Sequence, residues 1–306
     1  MKSIEDVKKY WNRRPCNLRH SREPIGTKVY FDQVRKRKYF VEPHIPSFAD
    51  HRFWAGKKVL EIGCGIGTDT QTFAEAGAYV TAVDLSENSL MLAQDRMEIF
   101  NLYNVRFYNA NAEVMSETVP IQNYDLVYSF GVLHHTPNPE KAYKEIRKYM
   151  GPDSRLRIMV YHKISWKVLW ILFRYGYGAF WKLNKLIADN SEAAFGCPVT
   201  YVYTKKEIKR LLESCGYNVI SMHVDHIFPY EISHYKQYQY KKVWYFRWMP
   251  KLWFRAFEKR FGWHLMVEAT GSRRRISDIF SECLHPLDRK FFRLHHSSSG
   301  RVLPLW

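Results

Sequence analysis

Lys58-Val59-Leu60-Glu61-Ile62-Gly63-Cys64-Gly65-Ile66-Gly67 is a short apolar run that breaks into glycines at every second position. The run reads as a buried parallel strand. Glycines spaced this way let the chain turn tightly and approach a ligand with no Cβ in between. Thr68 to Ala76 then reads as a short helix stopped by Gly77. A dinucleotide-binding turn has its third glycine one residue later and cradles a pyrophosphate. Here the spacing is tighter, and Glu61 stands two residues before the first glycine. A carboxylate there opposes a pyrophosphate and suits a cationic ligand.

Outward from this stretch the same cadence repeats. Tyr79 to Val83 is a second strand that ends at Asp84. Ser86 caps a helix whose Leu90, Ala93, Met97 and Phe100 fall at helical spacing before Asn101. Val105 to Tyr108, Tyr124 to Phe130 and Arg155 to Tyr161 read as three more strands. Asn138 and Pro139 open the helix before the last of these, with Gly151 expected to close it. Strands and helices alternating in this way predict a doubly wound α/β sheet. The pattern then breaks. Residues 163–203, rich in Trp, Phe and Tyr around Gly176-Tyr177-Gly178, read as an inserted helical, aromatic cover. Thr204-Lys205-Lys206-Glu207 is a capping box opening a helix through Cys215. Asn218 to Asp225 and Trp263 to Ala269 are the last two strands. Between them, Pro250 to Phe261 is an amphipathic helix with Trp253, Phe257 and Phe261 on one face.

The 306-residue chain carries a net charge of +17, and its 46% hydrophobic content supports a sizeable core. The charge is uneven: residues 1–58 sum to +9, 59–150 to −6, 151–271 to +10 and 272–306 to +4. An acidic block inside a basic protein points to a core that serves a different ligand from its surround. Cys16, Cys64, Cys197, Cys215 and Cys283 include no close-spaced pair. That argues against a disulfide framework and for a reducing compartment. The chain opens without an apolar run, and Val168 to Phe173, its greasiest stretch, is far shorter than the ~20 residues of a spanning helix. A soluble, cytoplasmic protein is expected. Residues 272–306, with Arg273-Arg274-Arg275, lack periodicity and read as a loosely ordered basic tail.

Asp84 lies 17 residues after Gly67. In an open sheet this places a carboxylate beside the glycine turn, where it can accept from two ribose hydroxyls. From here the sequence resembles the class I S-adenosylmethionine-dependent methyltransferases, with Glu61 to Gly67 at motif I and Asp84 at motif II. The resemblance continues at Asn109-Ala110-Asn111-Ala112-Glu113, at Tyr124-Asp125-Leu126-Val127 and at Gly131-Val132-Leu133-His134-His135. The last string is most similar to the ubiquinone/menaquinone-type group that acts on small molecules. The similarity covers about residues 57–162 and extends to about 271. It implies a Rossmann-like sheet of seven strands, the last antiparallel, and S-adenosylmethionine as cofactor. It places Glu61, Gly63, Cys64, Gly65 and Gly67 around the methionine part and Asp84 and Leu85 at the ribose. Asn111 and Ala112 fall at the adenine, and Phe130 completes the cofactor site. Asn111 stands where the family has aspartate; its amide can accept from the adenine amino group or donate to a ring nitrogen. A non-catalytic cofactor-binding protein is the reading that this departure alone favours.

Methyl transfer from a sulfonium requires a positioned, desolvated nucleophile, and a base only where that nucleophile holds its proton tightly. His134 and His135, just past the fourth strand, are the candidate catalytic residues. Tyr10, Trp11 and Tyr30, in a helical lid over residues 1–56, and Tyr201, His226 and Tyr230 are candidates for the substrate pocket. The cofactor-binding core is residues 57–162, and 204–271 form the C-terminal half of the sheet. Cys215, His223 and His226 lack a second close-spaced ligand pair, so no metal site is expected. The acceptor expected is a small aromatic or lipophilic molecule. An RNA or DNA enzyme is the alternative that the charge favours. Against it, basic residues interleave with acidic ones, and neither an Asn/Asp-Pro-Pro-aromatic string nor a Pro-Cys pair follows the fourth strand. In Pro250 to Phe261, Lys251, Arg255, Lys259 and Arg260 flank the aromatic face. That suits a buried cover, the preferred reading, or an anionic membrane surface.

Overall fold

The computed structural model describes residues 3–190 and 197–272. The chain through Gly271 forms one unit. The basic tail, Ser272 apart, lies outside the described residues. Among the described residues there are eight strands: β1 (Lys58–Ile62), β2 (Tyr79–Asp84), β3 (Val105–Asn109), β4 (Tyr124–Phe130), β5 (Met150–His162), β6 (Val202–Tyr203), β7 (Tyr217–Asp225) and β8 (His264–Gly271). They form one sheet in the order β3-β2-β1-β4-β5-β8-β7, with β6 paired to β5 off this path. β8 is antiparallel to both of its neighbours, as the seven-stranded expectation requires. The eighth strand, β6, has two residues, too few for alternation to reveal; it is held by pairing with Tyr161 and His162.

The helices are α1 (Ile4–Arg13), α2 (Lys28–Val41), α3 (Ile45–Ala49), α4 (Thr68–Glu75), α5 (Glu87–Ile99), α6 (Pro139–Ile146), α7 (Trp166–Gly176), α8 (Leu183–Asn190), α9 (Lys205–Ser214), α10 (Ile232–Lys236), α11 (Trp244–Arg247) and α12 (Lys251–Phe261). The side chains of Ser86, Asn138 and Thr204 cap α5, α6 and α9, each accepting from a first-turn backbone N–H. Gly151 does not close α6. That helix ends at Ile146, a 3-10 turn follows over Arg147–Tyr149, and Gly151 is already inside β5. Tyr149 and Met150 are both buried in the core, which draws the chain into the strand before the glycine.

Period-two alternation divides the strand residues between two faces. Leu60, Ile62, Val127, Ile158 and Val267 pack with Tyr143 and Ile146 of α6 and Ile208 and Leu212 of α9. Val59, Val80, Ala82 and Tyr128 face Phe73 and Ala74 of α4 and Leu90 of α5. Each such large side chain contributes about 1.5–3 kcal/mol through burial, so the ends of the strands are held by a well-filled core. α2 adds Tyr30, Phe31 and Val34 against Ile66 of the glycine turn. Arg96, fully buried, locks this junction by donating to the carbonyls of Ile66 at 2.9 Å and Phe31 at 2.7 Å.

In open α/β sheets ligands bind beyond the carboxyl ends of the strands, where the strand order reverses. That reversal lies between β1 and β4. Gly63 follows β1, Asp84 ends β2 and Phe130 ends β4. Because β8 runs the other way, it contributes its first residue, His264, to this same edge, opposite Tyr161 and Asp225.

Candidate active site

The glycine turn is built on its missing side chains. Gly63 has φ +77°, and a Cβ there would come within 2.3 Å of a Val132 methyl. The amide N–H of Gly65 donates to Asp84 Oδ2 and that of Ser86 to Oδ1, both at 2.8 Å. Burial pushes the Asp84 carboxyl upward, against these N–H bonds, which favour its charge. Asn111 Oδ1 accepts from the Glu113 N–H at 3.0 Å, so its amide NH₂ is the group left to reach a ligand. Glu113 in turn accepts from the Thr136 hydroxyl and from the Asn138 N–H at 2.8 Å. The loop that carries Asn111 is thus tied to the loop that carries the histidine pair.

A cavity of about 620 Å³ opens over this edge. Gly63, Cys64, Gly65, Asp84, Leu85, Asn111, Ala112 and Phe130 all line it, as do His135, Trp11, His226 and Tyr230. Six expected residues do not. Glu61 is buried, accepting from Thr70 Oγ1 at 2.5 Å; burial, then Asp69, pushes its carboxyl up to about 8. Gly67 is the left-handed cap of α4, against Ala93. Tyr10 packs edge-on to Trp11, and Tyr30 is wholly buried with its hydroxyl on the Leu18 carbonyl. Tyr201 donates to the Pro137 carbonyl at 3.2 Å.

His134 is the sixth. It is fully buried against Tyr161 at 3.9 Å between ring centroids, with both ring nitrogens unpartnered. Burial holds it well below the ordinary imidazole range. His135 is different. Its Nδ1 lies 2.8 Å from the Val199 carbonyl, which can only accept, so Nδ1 carries the proton and Nε2 the lone pair. Trp11 approaches this ring edge-on at 5.5 Å.

Among the cavity residues that the sequence reading did not name are Glu42, which caps α2, and His264, the first residue of β8. The only local signal was a polar break, Glu42-Pro43-His44, between two helical runs. The grouping of Cys215, His223 and His226 is not assembled; Cys215 lies buried at the end of α9 and His223 is exposed.

The residues present fit S-adenosylmethionine. Asp84 sets its carboxylate against the glycine turn, and a Cβ built on Gly65 meets nothing within 4 Å, leaving the backbone open to a ligand. A family model described as "Methyltransferase domain" matches residues 54–259. The ubiquinone biosynthesis O-methyltransferase of Pseudomonas fluorescens (strain Pf0-1) is 33% identical over 102 residues, which is 33% of this chain and 43% of that protein. The chain thus matches less than half the length of this curated relative. Among solved structures, magnesium protoporphyrin IX methyltransferase from Synechocystis PCC 6803 shares the fold with a TM-score of 0.53 at 16% identity, over 89% of this chain and 98% of that one. The cyclase SpnF does so with a TM-score of 0.51 at 13% identity, over 88% and 94%. The motif run, the strand order and the extent of the family match agree: this chain belongs to the methyltransferase-domain family and has the class I S-adenosylmethionine-dependent fold.

Proposed function

We propose that the protein transfers a methyl group from S-adenosylmethionine to a small aromatic or lipophilic acceptor. The observation that carries this reading is the continuity of the cavity. One continuous space runs from Asp84 and Asn111, at the cofactor end, to Trp11, His135, Tyr230 and Trp263. Its volume lies within the range of small-molecule sites. When bound, S-adenosylmethionine supplies the activated methyl. The chain's own residues do the rest. Asp84 accepts from the ribose hydroxyls, and the Asn111 amide donates to the adenine ring. The aromatic walls exclude water from the acceptor, and His135 Nε2 takes the proton that an oxygen acceptor gives up as its lone pair forms the new bond. The O-methyl transfer named for the Pseudomonas relative supports oxygen as the acceptor atom. A screen of phenols, amines, thiols and RNA, read as S-adenosylhomocysteine formed, tests this; turnover on RNA alone would overturn it.

An anionic membrane surface is the proposed source of the acceptor. Phe173, Phe180 and Trp181 are 63%, 71% and 72% exposed, and Trp248, Leu252 and Trp253 are 78%, 83% and 73% exposed. The Trp166 ring joins α7 to α11 and α12 through Phe246 and Phe257, at 6.0 and 5.7 Å. Arg174, Lys182, Arg247 and Lys251 lie among these aromatic residues in the sequence. Aromatic residues with interspersed cations suit the boundary of an anionic bilayer. Trp170, 43% exposed, also lines the cavity, linking this surface to the proposed acceptor site. No helix among the described residues is long and apolar enough to cross a membrane.

A further inference from the structure

We propose that Glu42, His226 and His264 form a divalent transition-metal site in the cavity wall, where the ion fixes an acceptor through an anionic oxygen. The role assigned to the ion rests on the methyl-transfer reading; the site itself does not. The donors come from three separate parts of the chain, the cap of α2, the residue after β7 and the first residue of β8. Their ligand-bearing atoms all lie within 4.8 Å of one another. Ligand bonds of about 2.0–2.2 Å would draw them in by roughly an ångström.

The local geometry suits an ion better than it suits pairing among the three. His264 Nε2 lies 3.7 Å from Glu42 Oε1, too far for a hydrogen bond and near the separation of two ligands on one ion. The other nitrogen, Nδ1, shares a 2.9 Å hydrogen bond with His44 Nε2. Metal-bound imidazoles are held in this way, donating the second N–H to an outer partner that fixes the tautomer. The His226 and His264 rings are 4.5 Å apart and tilted by 30°. His226 has φ +71°, uncommon for a residue with a side chain. Its turn is held from α12, where Arg255 donates to both oxygens of Asp225 at 3.2 and 3.3 Å.

One carboxylate and two imidazoles select a first-row ion such as Zn²⁺, Co²⁺ or Fe²⁺ over Mg²⁺ or Ca²⁺, which prefer oxygen. Three protein ligands leave an open position for an acceptor oxygen, whose pKa the ion would lower. The His264 ring is 5.6 Å from Phe130, at the end of β4. That sets the His264 side chain beside the proposed cofactor site.

The test is titration of metal-stripped protein with Co²⁺, read by its visible absorption and by calorimetry, with Mg²⁺ as the control ion. Wild type should bind one equivalent of Co²⁺. Glu42→Gln, His226→Gln and His264→Gln should each lose more affinity than the roughly 10–100-fold that removing an outer partner costs, the effect expected of His44→Gln. S-adenosylhomocysteine affinity, measured on the same samples, reports whether each variant is folded; Glu42→Gln, at a helix end, decides the matter should a histidine variant not fold. Absence of stoichiometric Co²⁺ binding by wild type, or equal binding by the triple variant, overturns the site whatever the result with S-adenosylhomocysteine. Intact Co²⁺ binding without S-adenosylhomocysteine binding would tell against the methyl-transfer reading alone.

Discussion

Asp84 already accepts from two backbone N–H groups, so it is fixed in place by the turn it serves. Glu61, two residues before the glycines, has a different part. Its folded-state carboxyl, at about 8, lies above the ordinary 4.5, so the native protein holds a proton that the unfolded chain releases. Stability is therefore fullest below pH 4.5 for this group and falls as the pH rises toward 8. Glu61→Gln should remove that slope from denaturant-unfolding free energies; parallel curves for the two proteins would contradict it. The adjacent histidines should separate in the same manner. His135→Gln should lower kcat by about 10²–10⁴ with KM little changed. His134→Leu removes two buried unsatisfied nitrogens, costing about 1–3 kcal/mol where unmet, so turnover should persist and the unfolding temperature should not fall. The left-handed turn at Gly63 and Gly65 and the strand-end place of Asp84 were readable from the sequence, because such a turn is a local matter. The sequence was not enough for Glu42 and His264, which lie far apart in the chain and approach only in the fold, nor for Tyr30, whose aromatic ring suits a core as well as a pocket.

Among the elements, the crossing of α12 and the end of β7 shows how packing decides position. A Cβ on Gly262 would lie 2.1 Å from the Asp225 carbonyl oxygen. Gly262→Ala should force that crossing apart at a cost of about 1–3 kcal/mol. Thermal unfolding measures this, and an unchanged midpoint would show that the two segments do not meet so closely. The helix itself was legible from its spacing, but its orientation was not. Phe254 and Phe257 turn inward toward Phe246 and Trp166, while Leu252 and Trp253 face outward. Trp253 and Phe257 therefore do not share the one face that the spacing predicted for them. Gly151 and β6 were misjudged for a related reason. Strand pairing, which acts between distant segments, overrides a local stop signal in one case and creates a two-residue strand in the other.

At the scale of the whole molecule, the sheet order brings chemistry from both ends of the chain to one edge, and the exposed aromatic surface adjoins the cavity. Trp253→Glu with Leu252→Ser should weaken co-sedimentation with vesicles containing anionic phosphatidylserine and leave turnover on a water-soluble acceptor unchanged. Equal co-sedimentation would remove the membrane from the account. The α/β class and the first five strands were readable because each parallel unit buries a recognisable apolar run, while the antiparallel last strand was implied by the family resemblance and the strand order came from the structure. In the segment expected as a cover, the described helices α7 and α8 and the turn between them carry aromatic residues that signal burial and exposure alike, so their surface required the structure. The central claim, a class I cofactor held at the β1–β4 switch point, is tested most directly by calorimetric titration of S-adenosylhomocysteine into wild type and Asp84→Asn. The account predicts one site in wild type. In the variant it predicts binding weakened by the loss of charge-assisted bonds, worth about 1.5–3 kcal/mol each, or roughly tenfold or more, at unchanged fold. No binding to wild type, or equal affinity in a folded Asp84→Asn protein, would contradict it.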